Sequence, residues 1–188
     1  MPLTGTGRAQ AVAAGEALRR LRGSRPWALV LTSPLGRAAQ TAHLAGLAAE
    51  PDERLREWDY GRYEGITTAE IHRDRPGWSL WRDGCPEGER AVDVSRRVDE
   101  VLTGSVASAL GRGDALLVAH SHLLRVAVAR WLELDAEHGR LFVLDPAHLG
   151  ILGHEHGGPA VLGWNLGPDL DPAPARSPNE FAQPENTT

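Results

Sequence analysis

Three short segments hold the residues best suited to chemistry. The first is Ser33-Pro-Leu-Gly-Arg37-Ala-Ala-Gln-Thr41-Ala, which follows an apolar run. It sets Arg37 at the start of a helix, where backbone N–H groups and the helix dipole favour an anion and a guanidinium can grip phosphate with two parallel bonds. The second is Leu55-Arg-Glu57-Trp58-Asp59-Tyr60-Gly61-Arg62-Tyr63-Glu64-Gly65, three acids and three aromatics in a turn-like stretch. A carboxyl held against Trp58 or Tyr60 gains a raised pKa and can serve as a general acid. The third is Leu116-Leu-Val-Ala-His120-Ser121-His122-Leu-Leu-Arg125, an apolar run ending in a histidine just before a helix, where a strand presents a side chain to a ligand. His122 can face the same cleft. Taken singly, Arg37 also reads as a solvated arginine, the acidic segment as a loop plugging the core edge, and His120 as a structural histidine.

The elements that must position these segments alternate between helix and strand. Thr4 to Arg22 reads as a helix capped by Thr4, with Val12, Ala13, Leu18 and Leu21 as a buried stripe. Trp27 to Thr32 reads as a buried strand and Gly36 to Ala48 as a second helix. Thr67 to Arg75 opens on a capping box, with Glu70 three residues after Thr67, and Pro76-Gly77 ends it. Arg82 to Arg90 is a loop, Ala91 to Leu110 a long amphipathic helix, Ala115 to Ala119 a strand and Leu123 to Leu134 a helix. Leu141 to Leu144, Leu149 to Gly153 and Val161 to Trp164 read as later strands. The alternation predicts an α/β fold: three layers, with a mostly parallel sheet covered by helices on both faces. The pattern stops at Gly167. Residues 1–166 read as one domain, and Gly167 to Thr188, rich in Pro, Asp, Asn and Ser, as a disordered tail.

Composition narrows the function classes. The chain of 188 residues has 41% hydrophobic residues and a net charge of −5, so no basic field invites nucleic acid. No run approaches the roughly 18 apolar residues a membrane span needs, and the N-terminus lacks an apolar signal core. Cys85 is the single cysteine, so no internal disulfide can form and a cytoplasmic setting is expected. Every basic side chain is arginine, which suits phosphate but equally fits a GC-rich gene. His120-x-His122 and His154-Glu155-His156 have metal-ligand spacing, but no HExxH or CxxC completes them, and neither a metal nor any other cofactor is expected.

Together, and in chain order, the segments resemble those of the histidine phosphatase superfamily, with its phosphoglycerate-mutase-like fold. Leu3 to Ala11 resembles its "PLT..G..QA" helix start, Ser33 to Ala42 its "SP..RA.QTA" segment, Glu57 to Gly65 its "E..yG..EG" segment and Val118 to Arg125 its "vsHg...R" segment. Glu57-Trp-Asp-Tyr-Gly together with Trp81-Arg-Asp-Gly-Cys85-Pro-Glu-Gly-Glu89 is similar to the branch holding broad-specificity acid phosphatases and sedoheptulose-bisphosphatase, which also tends to have a histidine at the position of His122. The resemblance implies hydrolysis of small phosphomonoesters such as sugar phosphates through a phosphohistidine. It casts Arg37, Glu57 and His120 as catalytic, with Glu57 as general acid and base, and Tyr60, Ser121, His122 and Arg82 as substrate-binding. The implied partner is a small phosphate ester, and a homodimer is allowed.

One departure is plain: the family's Arg-His-Gly, whose histidine attacks phosphorus, occurs nowhere in the 188 residues. A second is Ser121, where the family usually has glycine; the hydroxyl either crowds a phosphate or adds a donor. A misassigned start codon is the explanation expected for the first: Met1 would then be an internal valine of a longer chain whose first strand and nucleophile would lie upstream. The fold is accordingly expected to lack that strand, to expose unpaired backbone, to fold weakly and to turn over poorly as written. The alternatives are a phosphate-binding protein without catalysis, a mutase-type phosphotransferase and a gene fragment.

Overall fold

The computed structural model describes residues 2–170. The chain opens with helix α1 (Gly5–Arg22), capped as expected: Thr4 Oγ1 accepts from Gly7 N. Its buried face is not the anticipated one. Ala11, Ala14, Gly15 and Ala17 are buried, whereas Val12 and Leu21 are exposed and Ala13 and Leu18 half-buried. The reason is close packing on helix α2 (Gly36–Leu44) and the turn behind it. A Cβ on Gly15 would stand 2.4 Å from the Ala45 carbonyl oxygen, so only small side chains fit there. α2 stops at Leu44, short of Ala48, because Gly46 turns the chain at a φ of +75°.

The sheet begins with β1 (Leu29–Thr32), flanked by the short β2 (Glu50–Pro51) and by β3 (Ala115–Val118) in the order β2-β1-β3, all parallel. Alternation across the pleat decides the faces. Leu29 and Leu31, with Ala115 and Leu117, point into the main core beside Val94, Val98, Leu123 and Val126, while Val30 points toward Gly15 and Leu18 of α1. β4 (Leu149–Glu155) and β5 (Gly158–Leu166) form a separate antiparallel ladder. Among the described residues β3 pairs with β1 only, and Ala115 to Val118 are all half-buried.

The capping box at Thr67 and Glu70 forms and starts α3 (Thr68–Asp74). The segment read as a loop from Arg82 instead includes the end of a one-turn helix, α4 (Leu80–Asp83). Ala91 to Leu110 is helical throughout: α5 (Ala91–Glu100), a π-helical stretch (Val101–Val106) and α6 (Ala107–Leu110). α7 (Ser121–Trp131) follows β3 and buries Leu123, Val126, Ala127, Val128 and Ala129. Leu141 to Leu144 is not a strand. A 3-10 turn (Ala136–Leu141) leads into extended chain whose carbonyls are taken by side chains: Trp164 Nε1 donates to Val143 O at 2.7 Å and Ser121 Oγ to Leu144 O at 3.1 Å. No helix among the described residues is long and apolar enough to cross a membrane. The tail is described only to Leu170, where a turn forms (Leu170 N to Gly167 O), and the rest of that segment lies outside the described residues.

Candidate active site

β1 and β3 run parallel and end side by side, so the loops leaving them, one into α2 and one into α7, meet at the same edge of the sheet. Arg37 is the second residue of α2 and His120 the residue before α7. Arg37 Nε donates to His120 Nδ1 at 3.0 Å. A guanidinium only donates, so Nδ1 is the accepting nitrogen and the ring proton sits on Nε2, which bonds Ser33 Oγ at 2.8 Å. Ser33 is fully buried and also accepts from Leu35 N.

Burial, then the Arg37 charge, push the His120 pKa down to about 3, so the imidazole is neutral near pH 7.

Glu57 reaches the same corner from the loop after a 3-10 turn (Glu53–Leu55). Its Oε1 accepts from Trp58 N at 2.9 Å and from Leu123 N at 3.1 Å, in the first turn of α7. Backbone donors at a helix start favour the ionised form, and the Arg37 charge works the same way. Burial outweighs them and holds the carboxyl above the ordinary glutamate range. A carboxyl that stays protonated more readily than usual, beside a guanidinium and a histidine, is equipped to give up a proton to a departing oxygen.

His122 lies one residue beyond the pocket. Its Nδ1 bonds the Tyr60 hydroxyl at 2.7 Å, and its ring meets the edge of Trp81 at 5.4 Å between centroids. Burial pushes its pKa down to about 3, leaving it uncharged as well. Tyr60, Trp81 and His122 thus make a polar but uncharged aromatic wall. Behind it Arg125 is buried, stacked 4.7 Å over Trp81 and donating to Gly139 O and Arg140 O.

The other anticipated residues are not drawn in. Ser121 Oγ is spent on Leu144 O. Arg82 is largely exposed and binds Asp83 and Gly77 O within its own loop. Burial, with Asp59 and Glu64 nearby, pushes the Cys85 thiol up to about 11, so it is a packing group and no nucleophile. Among the described residues no cluster of three or more His, Cys, Asp or Glu could hold a metal. His154 packs on Trp131, and His156 is exposed in the β4–β5 turn.

Two residues given no site role in the sequence analysis, Glu89 at the end of the Trp81 segment and Arg97 outside every quoted segment, bind the Glu57 loop. Arg97 donates to the carbonyls of Arg54, Arg56 and Glu57, and Glu89 receives both its Nε and Nη2. The spacing of Glu89 and Arg97, eight residues apart with Arg97 on α5, gave no signal of this.

Comparison with known proteins shows the family of the chain. Residues 1–167 match the model of the histidine phosphatase superfamily (branch 1). An acid phosphatase of Mycobacterium tuberculosis is 42% identical over 156 residues, covering 82% of this chain and 75% of that protein. Sedoheptulose 1,7-bisphosphatase of Saccharomyces cerevisiae is 32% identical over 165 residues, and the chain spans 60% of its length. The solved structure of a functionally characterised Mycobacterium tuberculosis open reading frame superposes with a TM-score of 0.84 at 38% identity, over 89% of this chain and 86% of that one.

Proposed function

This chain is a member of the histidine phosphatase superfamily, a family of enzymes, and on that premise we propose that it hydrolyses small phosphomonoesters, sugar phosphates foremost, through a phosphohistidine whose histidine lies upstream of Met1. The observation that carries the reading is the convergence of Arg37, His120 and the protonation-prone Glu57 at one sheet edge. In the first step an imidazole nitrogen attacks phosphorus, the P–O bond to the alcohol breaks, and the departing alkoxide takes the proton of Glu57. In the second, the Glu57 carboxylate removes a proton from water, the resulting hydroxide attacks phosphorus, and the P–N bond breaks to release phosphate. Arg37 steadies the equatorial oxygens, and His120 joins it once the bound dianion has drawn a proton onto Nδ1, which then donates to them.

The wall of Tyr60, Trp81 and neutral His122 supports an alcohol leaving group rich in hydroxyls. The names of the relatives, an acid phosphatase and a sugar bisphosphatase, point the same way. The side of β3 that pairs with no strand among the described residues supports a further parallel strand as carrier of the attacking histidine.

The test has two stages. The coding DNA upstream of Met1 is read for an in-frame Arg-His-Gly; an in-frame stop before any such triplet sinks the upstream nucleophile. The extended protein is then assayed on sugar monophosphates, with Glu57→Gln and His120→Ala each expected to slow hydrolysis by roughly 100-fold or more. Full turnover in both variants removes the roles given to these residues.

A further inference from the structure

The segment that carries Glu57 has no ladder of its own. β2 ends at Pro51, and after the 3-10 turn at Glu53–Leu55 the chain runs on to Tyr60 without pairing to a strand. One side chain of α5 spans its carbonyls. Arg97 Nη1 donates to Arg54 O at 2.7 Å and to Arg56 O at 2.6 Å. Nη2 donates to Glu57 O at 3.3 Å and to Glu89 Oε2 at 2.9 Å, and Nε donates to Glu89 Oε1 at 2.8 Å. All five N–H donors of the guanidinium are therefore spent, three of them on the carbonyl track leading to Glu57.

Glu89 completes the hold from the other side. Its Oε2 accepts from Asp59 N, its backbone carbonyl accepts from Trp58 Nε1, and its backbone N–H donates to Asp59 O. The two side chains of the pair are only 17% and 22% exposed. The loop that delivers Glu89 is itself pressed against the Glu57 segment: a Cβ on Gly61 would stand 2.3 Å from Pro86 O, and one on Gly88 2.4 Å from Asp59 O.

We propose that Arg97, locked by Glu89, is the positioning residue for the general acid, setting where the Glu57 carboxyl sits relative to Arg37 and His120. The inference rests on the role given to Glu57 above. A structural brace could be any well-packed side chain. A device that spans three carbonyls and chelates a carboxylate needs the planar fork of arginine, and a lysine offers its donors from a single point. The groups that face the Glu57 carboxyl are the backbone N–H groups of Trp58, His122 and Leu123 and the charge of Arg37, none of which Arg97 contacts.

The experiment follows the Glu57 carboxyl by carbon-13 NMR in glutamate-labelled chain, its signal assigned by loss in Glu57→Gln, across a pH titration. Arg97→Lys, Arg97→Met and Glu89→Gln are compared with the parent, with calorimetric binding of inorganic phosphate and melting recorded beside them. The parent is expected to titrate above ordinary glutamate. Arg97→Met and Arg97→Lys both shift that titration down by about a unit or more as the loop loosens and water reaches the carboxyl, while phosphate affinity stays within about 2-fold because Arg97 bonds neither Arg37 nor His120 and its charge is a lesser influence on His120 than burial and Arg37. Glu89→Gln, the mildest change, shifts it in the same direction and keeps the proposal testable if the Arg97 variants fail to fold. An unchanged Glu57 titration in the folded variants, or full rescue by lysine, overturns the proposal. Failure of the parent to bind phosphate counts against the proposed function alone, since the titration still judges the clamp.

Discussion

Arg37 Nε and His120 Nδ1 stand 3.0 Å apart with the guanidinium as donor, so the imidazole at the end of β3 is fixed as a neutral ring whose proton points at Ser33. Residues 83 positions apart are joined because two parallel neighbouring strands end at the same level of the sheet. The bond also sets the electrostatic character of the pocket, pairing the permanent cation Arg37 with a titratable imidazole beside the Glu57 carboxyl.

A dianion placed against this pair should draw in a proton. The His120 pKa of about 3 leaves the ring neutral at pH 6 to 8, and an opposite charge at hydrogen-bond distance raises it. Tungstate binding measured calorimetrically in buffers of different ionisation enthalpy is expected to show proton uptake, larger at pH 6 than at pH 8, and absent in His120→Asn. Identical heats in all buffers for the parent chain contradict this.

Stability should fall as pH drops below neutrality. His120 and His122 both have folded values near 3 against an ordinary 6.5, so between those limits the unfolded chain binds more protons and stability rises with pH. Each unit of difference is worth about 1.4 kcal/mol. Glu57 acts in the opposite sense, since its raised value favours the folded state at low pH, but one carboxyl opposes two histidines. Urea midpoints are expected to decline from pH 7 to pH 4, with a shallower decline in His122→Asn. A flat profile in the parent excludes neutral buried histidines.

Removing the Ser33 hydroxyl should cost more than one solvent-exposed hydrogen bond. Ser33→Ala leaves the His120 Nε2–H buried without its acceptor and Leu35 N without a side-chain partner. A loss of about 1–3 kcal/mol in chemical unfolding is expected, with weaker oxyanion binding because the tautomer is no longer enforced. A neutral effect on both measurements removes Ser33 from the site.

Gly15→Ala separates helix propensity from packing. Propensity alone predicts a gain of up to about 1 kcal/mol at this interior position of α1. The new methyl would meet Ala45 backbone atoms at 2.4 to 2.8 Å, so a net loss of about 1–3 kcal/mol is expected instead. A raised melting temperature would mean that α1 and α2 are not packed this closely.

Much of the site was legible in the residues because each piece is local. Arg37 at a helix start, Glu57 among aromatic rings and His120 at the end of an apolar run each depend on a few neighbours in sequence. Their chain order carried the family, which residues 1–167 match. The Thr4 cap and the Thr67–Glu70 box were equally legible, because caps act over three residues.

What failed depended on contacts far along the chain. Val12 and Leu21 are large apolar residues of α1, yet the close approach of Ala45 selects its small face for burial. Leu141 to Leu144 has a strand's composition, but Trp164 and Ser121 take carbonyls that a partner strand would have needed.

The sequence by itself determined which side chains can do the chemistry and which elements carry them, since propensity, capping and periodicity are properties of short stretches. The tertiary structure alone decided the protonation of His120, the bonding of Ser121 to Leu144 and of Arg82 to its own loop, and the clamp of Arg97 on the Glu57 loop. Burial and hydrogen-bond pairing are set by groups that meet only when the chain is folded.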